Sequence, residues 1–318
     1  MTFRIFVLLL ALAGIARADL LVSGFLSNAV FRFDENTGVA SGTGPFLTGS
    51  GLHPLNQPHR VFVDAAGNLL VANAGANNVL RYNGTTGAYM SDFITTGLGG
   101  LSYPVDMTLG PGGYLYVSSQ ATDAILRYDA STGAFVDVFV DPGAGGLDGP
   151  SGLVFLNGEL FVGGRLSNKI HRYDANGDPV GTGIFASSTS SVFGLEVGAD
   201  NRLYAVTGNS VLRYNPAVNS TPTVLVTGGS GGLSGAIGLD FGPDGDIYVA
   251  GLNNDNVYQY DGSTGSSQGA FLSGAPAALP DGPNFLTFRS VPEPSVAAHS
   301  LLGSVLLFSH RLRRRIAA

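Results

Sequence analysis

The sequence predicts an all-β protein, a six-bladed β-propeller with four antiparallel strands per blade. Three observations carry that prediction. An apolar strand, a short polar link and a strand ending in Arg-Tyr-Asp or a close variant recur six times. The copies begin at Leu20, Leu69, Leu115, Leu160, Leu203 and Ile247, at spacings of 49, 46, 45, 43 and 44 residues. Residues 19–290 contain no sustained 3.6-residue apolar periodicity, so helices should be nearly absent. A period of about 45 residues with four short strands per unit is the pattern of propeller blades.

Within a repeat the strands can be placed in order. The innermost is read at Val61-Phe62-Val63, Met107-Thr108-Leu109, Leu153-Val154-Phe155, Leu195-Glu196-Val197, Leu239-Asp240-Phe241 and Phe285 to Phe288. The next strand is the Leu-rich one that defines the repeat. The third ends at Arg32-Phe33-Asp34, Arg81-Tyr82-Asn83, Arg127-Tyr128-Asp129, Arg172-Tyr173-Asp174, Arg213-Tyr214-Asn215 and Gln259-Tyr260-Asp261. An outer strand follows, as at Phe135 to Val140 or Thr223 to Val226. The residue types, rich in Val, Leu, Phe and Tyr, suit strands.

The phase of the repeat predicts how the ring closes. The chain after the leader opens on a second strand, at Leu20, and ends on an innermost one, Asn284 to Arg289. The closing blade should therefore combine three N-terminal strands with one from the C-terminus, which removes the free ends of an open array. A capped solenoid is the competing arrangement. Turns have a mechanism too. In Asp129 to Gly133 and Asp261 to Gly265, Asp bonds nearby backbone and Gly supplies a left-handed residue. Pro243-Asp244-Gly245-Asp246 reads as a hairpin turn, because it lacks the spaced carboxylates of a calcium loop. Arg recurs in five of the six copies and so does Tyr at the next position, which marks the pair as architectural. Arg should lie over apolar neighbours with a hydrated head, and Tyr should pack between blades.

Composition excludes several function classes. The 318 residues include 47 Gly and 16 Pro but no Cys and no Trp. There is no disulfide framework, thiol nucleophile or Cys-ligated metal. The chain carries 16 basic and 23 acidic residues, and six of the basic ones lie in the two ends. Residues 19–290 keep 10 basic and 22 acidic residues, a net charge of −12. So acidic a domain repels nucleic-acid backbones, and no basic stripe offsets this.

Both ends read as addresses. Arg4, the apolar run Ile5 to Ile15 and Ala16-Arg17-Ala18 have the form of a secretory signal peptide, residues 1–18, cleaved after Ala18. The C-terminal segment 291–318 holds Val291-Pro292-Glu293-Pro294, a mostly apolar stretch from Val296 to Phe308, and Arg311, Arg313, Arg314 and Arg315. The prolines make its start an extended spacer. The arginines would remain on the cytoplasmic side of a membrane. On those residues the tail resembles the PEP-CTERM sorting signal of bacterial exported proteins. The resemblance implies an exosortase that processes the tail near Pro-Glu-Pro. It also implies a Gram-negative-type bacterium that makes extracellular polysaccharide, with transient membrane anchoring through the C-terminal helix. The apolar stretch is 13 residues long and a full span needs about 20. An interfacial helix or a plain tail anchor is the alternative.

The repeat itself resembles the NHL and SMP-30/streptogramin-lyase-like six-bladed propellers. The resemblance is carried by stretches such as Gly152 to Val162 followed by Ser167-Asn168-Lys169-Ile170-His171-Arg172-Tyr173-Asp174. It implies a fold that hosts binders, hydrolases and lyases alike. Enzymes of that group hold a divalent metal where the inner strands begin. Those starts are Pro58-His59-Arg60, Pro104-Val105-Asp106, Pro150-Ser151-Gly152, Val192-Phe193-Gly194, Ala236-Ile237-Gly238 and Pro283-Asn284-Phe285. Only His59, Asp106 and Asn284 offer ligand atoms there, with Asn73 a possible addition for Ca or Mg. His59 is also the best-placed general base; His53 falls in a loop and His171 in a repeat strand.

No Gly-x-Ser-x-Gly elbow, His-Glu-x-x-His or P-loop is present. The sequence therefore favours a non-enzymatic binding or scaffold module without a cofactor, in the cell envelope or outside the cell. Its expected partners are an exosortase-type enzyme and an extracellular polysaccharide or envelope protein. The alternative is a divalent-metal-dependent lactonase- or lyase-like enzyme.

Overall fold

The computed structural model describes residues 18–273 and 281–290. The leader with Ala16, and the tail with Val291, Pro292, Glu293, Pro294, Arg311, Arg313, Arg314 and Arg315, lie outside the described residues. Ala18 opens the first strand. The propeller unit runs from Asp19 to Arg289.

Six antiparallel sheets form the blades of a ring. From the inside outward, one blade contains Pro58–Val63, Leu69–Asn73, Asn78–Tyr82 and Tyr89–Ile94. The next has Pro104–Leu109, Tyr114–Ser119, Ala124–Asp129 and Phe135–Val140. Three more begin with the inner strands Pro150–Leu156, Val192–Val197 and Ala236–Phe241. Helix among the described residues is confined to short 3-10 turns.

The repeat keeps one register. Leu69 faces Tyr82, Leu115 faces Tyr128, Leu160 faces Tyr173, Leu203 faces Tyr214 and Ile247 faces Tyr260. Neighbouring blades cover both faces of the second strands, so Leu69–Asn73, Leu203–Thr207 and Ile247–Gly251 are buried throughout. That explains their continuous apolar run. The core accordingly lies between blades. One cluster joins Leu70, Val79 and Ile94 of one blade to Met107, Leu115 and Tyr128 of the next.

The closing blade combines Ala29–Asp34, Ala18–Gly24 and Pro283–Ser290. Its outer place is taken by residues 40–47, which make two bridges, Phe33 with Ala40 and Val30 with Leu47, instead of a continuous ladder. The intervening Ser41-Gly42-Thr43-Gly44-Pro45 explains the interruption, because Gly and Pro weaken strand pairing. Ser23 Oγ donates to the Phe285 carbonyl and accepts from its N–H, both at 3.0 Å. Asp19 pairs with Arg289 at 2.9 Å, with both side chains buried.

The recurrent Arg-Tyr pair is structural. Arg81 bonds Asp64 at 2.5 Å and lies over the Phe93 ring. Arg127 bonds Asp137 and lies over Tyr114. The heads of Arg81 and Arg127 are thus paired with carboxylates. The hydroxyls of Tyr128, Tyr173 and Tyr260 donate to the carbonyls of Leu98, Ala144 and Ser230, each at 2.8 Å. In the turn after Tyr128, Asp129 accepts from the side chains and N–H groups of Ser131 and Thr132. Those hydrogen bonds hold its carboxyl down at about 2. A Cβ on Gly133, at φ +75°, would lie 1.9 Å from the Phe93 carbonyl, so the turn admits only glycine.

Candidate functional site

Five of the inner strands carry a register shift just after their first residue, as between Pro58↔Asn73 and Val61↔Val71. Such a bulge bends the strand and re-aims its side chains. The second residues of the six inner strands, His59, Val105, Ser151, Phe193, Ile237 and Asn284, line one cavity of about 230 Å³. Loops between strands add Phe25, Tyr103, Gln120, Arg165 and Leu252 to its wall. Phe285 joins Val105 and Ile237 in a small apolar cluster there.

His59 is held on several sides in the wall. It is 8% exposed. Phe25 and Tyr103 meet its ring edge-on at 5.5 and 5.6 Å. The Asn284 side-chain amide donates to Nδ1 at 2.8 Å, which places the ring proton on Nε2. Nε2 is itself buried without a hydrogen-bond partner. Burial, and then the charge of Arg165, push the imidazole down to about 3, so it is neutral at physiological pH. Arg165 is exposed and lies 5.9 Å from the centroid of the Phe193 ring. It makes no ion pair among the described residues.

A second polar cluster involves the third and fifth residues of the inner strands. Arg60 Nε lies 3.1 Å from Asp106 Oδ1, and its Nη2 bonds Glu196. Asp240 also faces this guanidinium electrostatically. Asp106 accepts from the N–H groups of Met107 and Leu153, and Asp240 from those of Phe241 and Phe288. Burial pushes Asp106 up to about 6 against the pull of Arg60. Burial and Glu196 push Asp240 up to about 7. The three glycines at the third position have a packing reason. A Cβ on Gly152, Gly194 or Gly238 would approach the backbone of the next inner strand to between 2.5 and 2.8 Å.

The residues singled out as metal ligands separate in space. His59 and Asn284 meet at the cavity. Asp106 is engaged by Arg60 and two backbone N–H groups and is absent from the cavity wall. Asn73 bonds Asn56, Pro54 and Asn78 within its own blade. Asp106, His59 and Asn284 therefore do not form one donor set for Ca or Mg. Among the described residues no group of three or more His, Cys, Asp or Glu side chains has metal-holding geometry. His53 bonds Asp92 at 2.9 Å, and His171 bonds Ser167 at 2.9 Å, each within a blade. Glu196, Asp240 and Arg165 escaped the sequence reading. For the first two a signal existed: a carboxylate inside an apolar inner-strand triplet. Arg165, in a loop, gave none.

Solved structures show the same fold. The chain is similar to one in a nidogen/laminin complex, with a TM-score of 0.66 and 18% identity over 86% of this chain and 98% of that one. It is similar to virginiamycin B lyase from Staphylococcus aureus, with a TM-score of 0.50 and 14% identity over 88% and 76% of the two chains. A catalytically inactive variant of that lyase with quinupristin gives 0.52 and 17% over 73% and 77%. No family model and no curated protein matches the chain. At these identities the likeness establishes a six-bladed β-propeller and leaves the function to the site.

Proposed function

We propose that this protein is an exported, non-enzymatic binding module of the cell envelope or extracellular matrix, whose propeller offers a small ligand cavity at its inner strands. One observation carries the reading. The cavity is walled mainly by apolar side chains and holds a buried donor, His59 Nε2–H, with no partner in the protein. Ligand pockets combine apolar walls with a few placed polar groups in this way. The neutral histidine is tied to Asn284, and among the described residues no serine hydroxyl hydrogen-bonds to it. A base–nucleophile pair of the kind acyl transfer needs is absent from the described residues of the wall.

The exported address rests on the sequence. In this reading the leader ends at Ala18, and an exosortase-type enzyme acts near Pro292-Glu293-Pro294. Polysaccharide or an envelope protein is the partner at the surface. Metal analysis of the purified chain, with melting in calcium and magnesium, tests the non-enzymatic half. No bound metal and no shift in melting are expected; one tightly held metal per chain would overturn it. Fractionation of cells carrying Glu293→Ala together with alanines at the four tail arginines tests the address. Loss of surface delivery is expected, and unchanged delivery would refute the sorting role.

A further inference from the structure

We propose that the cavity is a binding site for a small monocarboxylate with a compact apolar body, its carboxylate held between the Arg165 guanidinium and the Nε2–H of His59. The proposal deepens the binding reading above and rests on it.

Size sets the first limit. About 230 Å³ is below the ~300–1,000 Å³ of pockets for drug-sized ligands, so the occupant has roughly one ring. The chemistry of the wall sets the second. Phe25, Tyr103, Phe193 and Phe285 supply aromatic faces and edges for an apolar body. Its charged group is a single arginine, and no Asp or Glu takes part in the lining.

The sign of charge follows from this. Residues 19–290 are strongly acidic, yet one of their ten basic residues stands at this wall without an ion-pair partner among the described residues. A cationic ligand would meet Arg165 with no carboxylate to offset the repulsion. A carboxylate suits the guanidinium fork and has an oxygen to spare for a second donor. That second donor is present. Asn284 fixes the His59 tautomer, so Nε2 offers a hydrogen and does not accept one. A buried donor without a partner is costly, and a ligand oxygen removes that cost. The imidazole is already neutral, so the single formal positive charge at the wall is that of Arg165. One charge matches a monoanion better than a phosphate dianion.

Titration of the full chain with phenylacetate, phenylacetamide and phenethylamine tests this, read by the imidazole signals of His59 and by calorimetry. Phenylacetate should shift the His59 signals and bind at least about tenfold more tightly than the isosteric amide, while the amine should not bind. Arg165→Gln, at an exposed position, should remove that preference and leave amide binding unchanged. His59→Phe should weaken phenylacetate binding and show which imidazole signal belongs to His59. Equal binding of acid and amide, or an Arg165→Gln protein that keeps the preference, would overturn carboxylate recognition while the cavity stands as a ligand site. If none of the three compounds perturbs His59, both this inference and the binding role of the cavity fall.

Discussion

Replacing Arg60 by methionine isolates the buried charge cluster of the inner strands. Arg60 is the cation shared by Asp106, Glu196 and Asp240. Methionine keeps most of the volume and removes the charge. Taking one partner from a buried ion pair costs about 3–5 kcal/mol. At about 2–4 °C per kcal/mol for a domain of this size, melting near neutral pH should fall by roughly 6–20 °C. The pH dependence gives a sharper test. Asp106 and Asp240 titrate above the ordinary carboxylate range in the folded protein, at about 6 and about 7. The folded state therefore holds these protons more tightly than the unfolded state. Their contribution to stability is most favourable below about pH 4 and declines as pH rises toward 7. Without Arg60 only the backbone N–H groups still oppose the upward shift, so the variant gains more from acidification than the parent does. The melting gap should be widest at about pH 8 and should shrink markedly at about pH 5. Arg60→Lys, which keeps the charge, should lose less than methionine. Thermal melts of parent and variants across that range provide the assay. A methionine variant that melts within about 2 °C of the parent at pH 8 would refute the reasoning, and so would a gap that ignores pH.

The tyrosines separate hydrogen bonding from packing. Tyr128→Phe deletes a bond to the Leu98 carbonyl and should cost about 1 kcal/mol in denaturant unfolding. Tyr82→Phe should be neutral or slightly stabilising, because the Tyr82 hydroxyl is buried with no partner. Two glycines separate clash from backbone strain. Gly146→Ala, at φ +78° with open space around it, should cost about 1–2 kcal/mol. Gly265→Ala should cost clearly more by the same measurement, since its Cβ would lie 1.9 Å from the Leu225 carbonyl. Asp19→Asn leaves Arg289 buried without its counter-charge and should cost about 3–5 kcal/mol. Limited proteolysis should then release the last strand of the closing blade first, and an unchanged digestion pattern would count against the pair as the closure.

The repeat alone determined the ring, its six blades and the closure that joins the strand of Leu20 to the strand that carries Arg289. Local rules suffice for that. The register that sets Leu or Ile against Tyr or Phe is the same in every copy, and a Gly or Asp at a turn reports its own backbone. His59 and Asn284 were also legible, because they occupy equivalent places at the starts of inner strands. The pairing across the ring was not legible. Arg60 and Glu196 lie 136 residues apart, and nothing periodic links them. Each is a departure from the repeat, and the repeat says nothing about where two departures meet. Likewise, Asp106 looked like a companion of His59 because it stands one position further along its strand. Consecutive residues of a strand face opposite ways, so the second position lines the cavity while the third, Asp106, meets a guanidinium. The scaffold therefore follows from short-range geometry. Only the closed ring decided which side chains share a space, because that depends on the long-range packing of blades around a common axis.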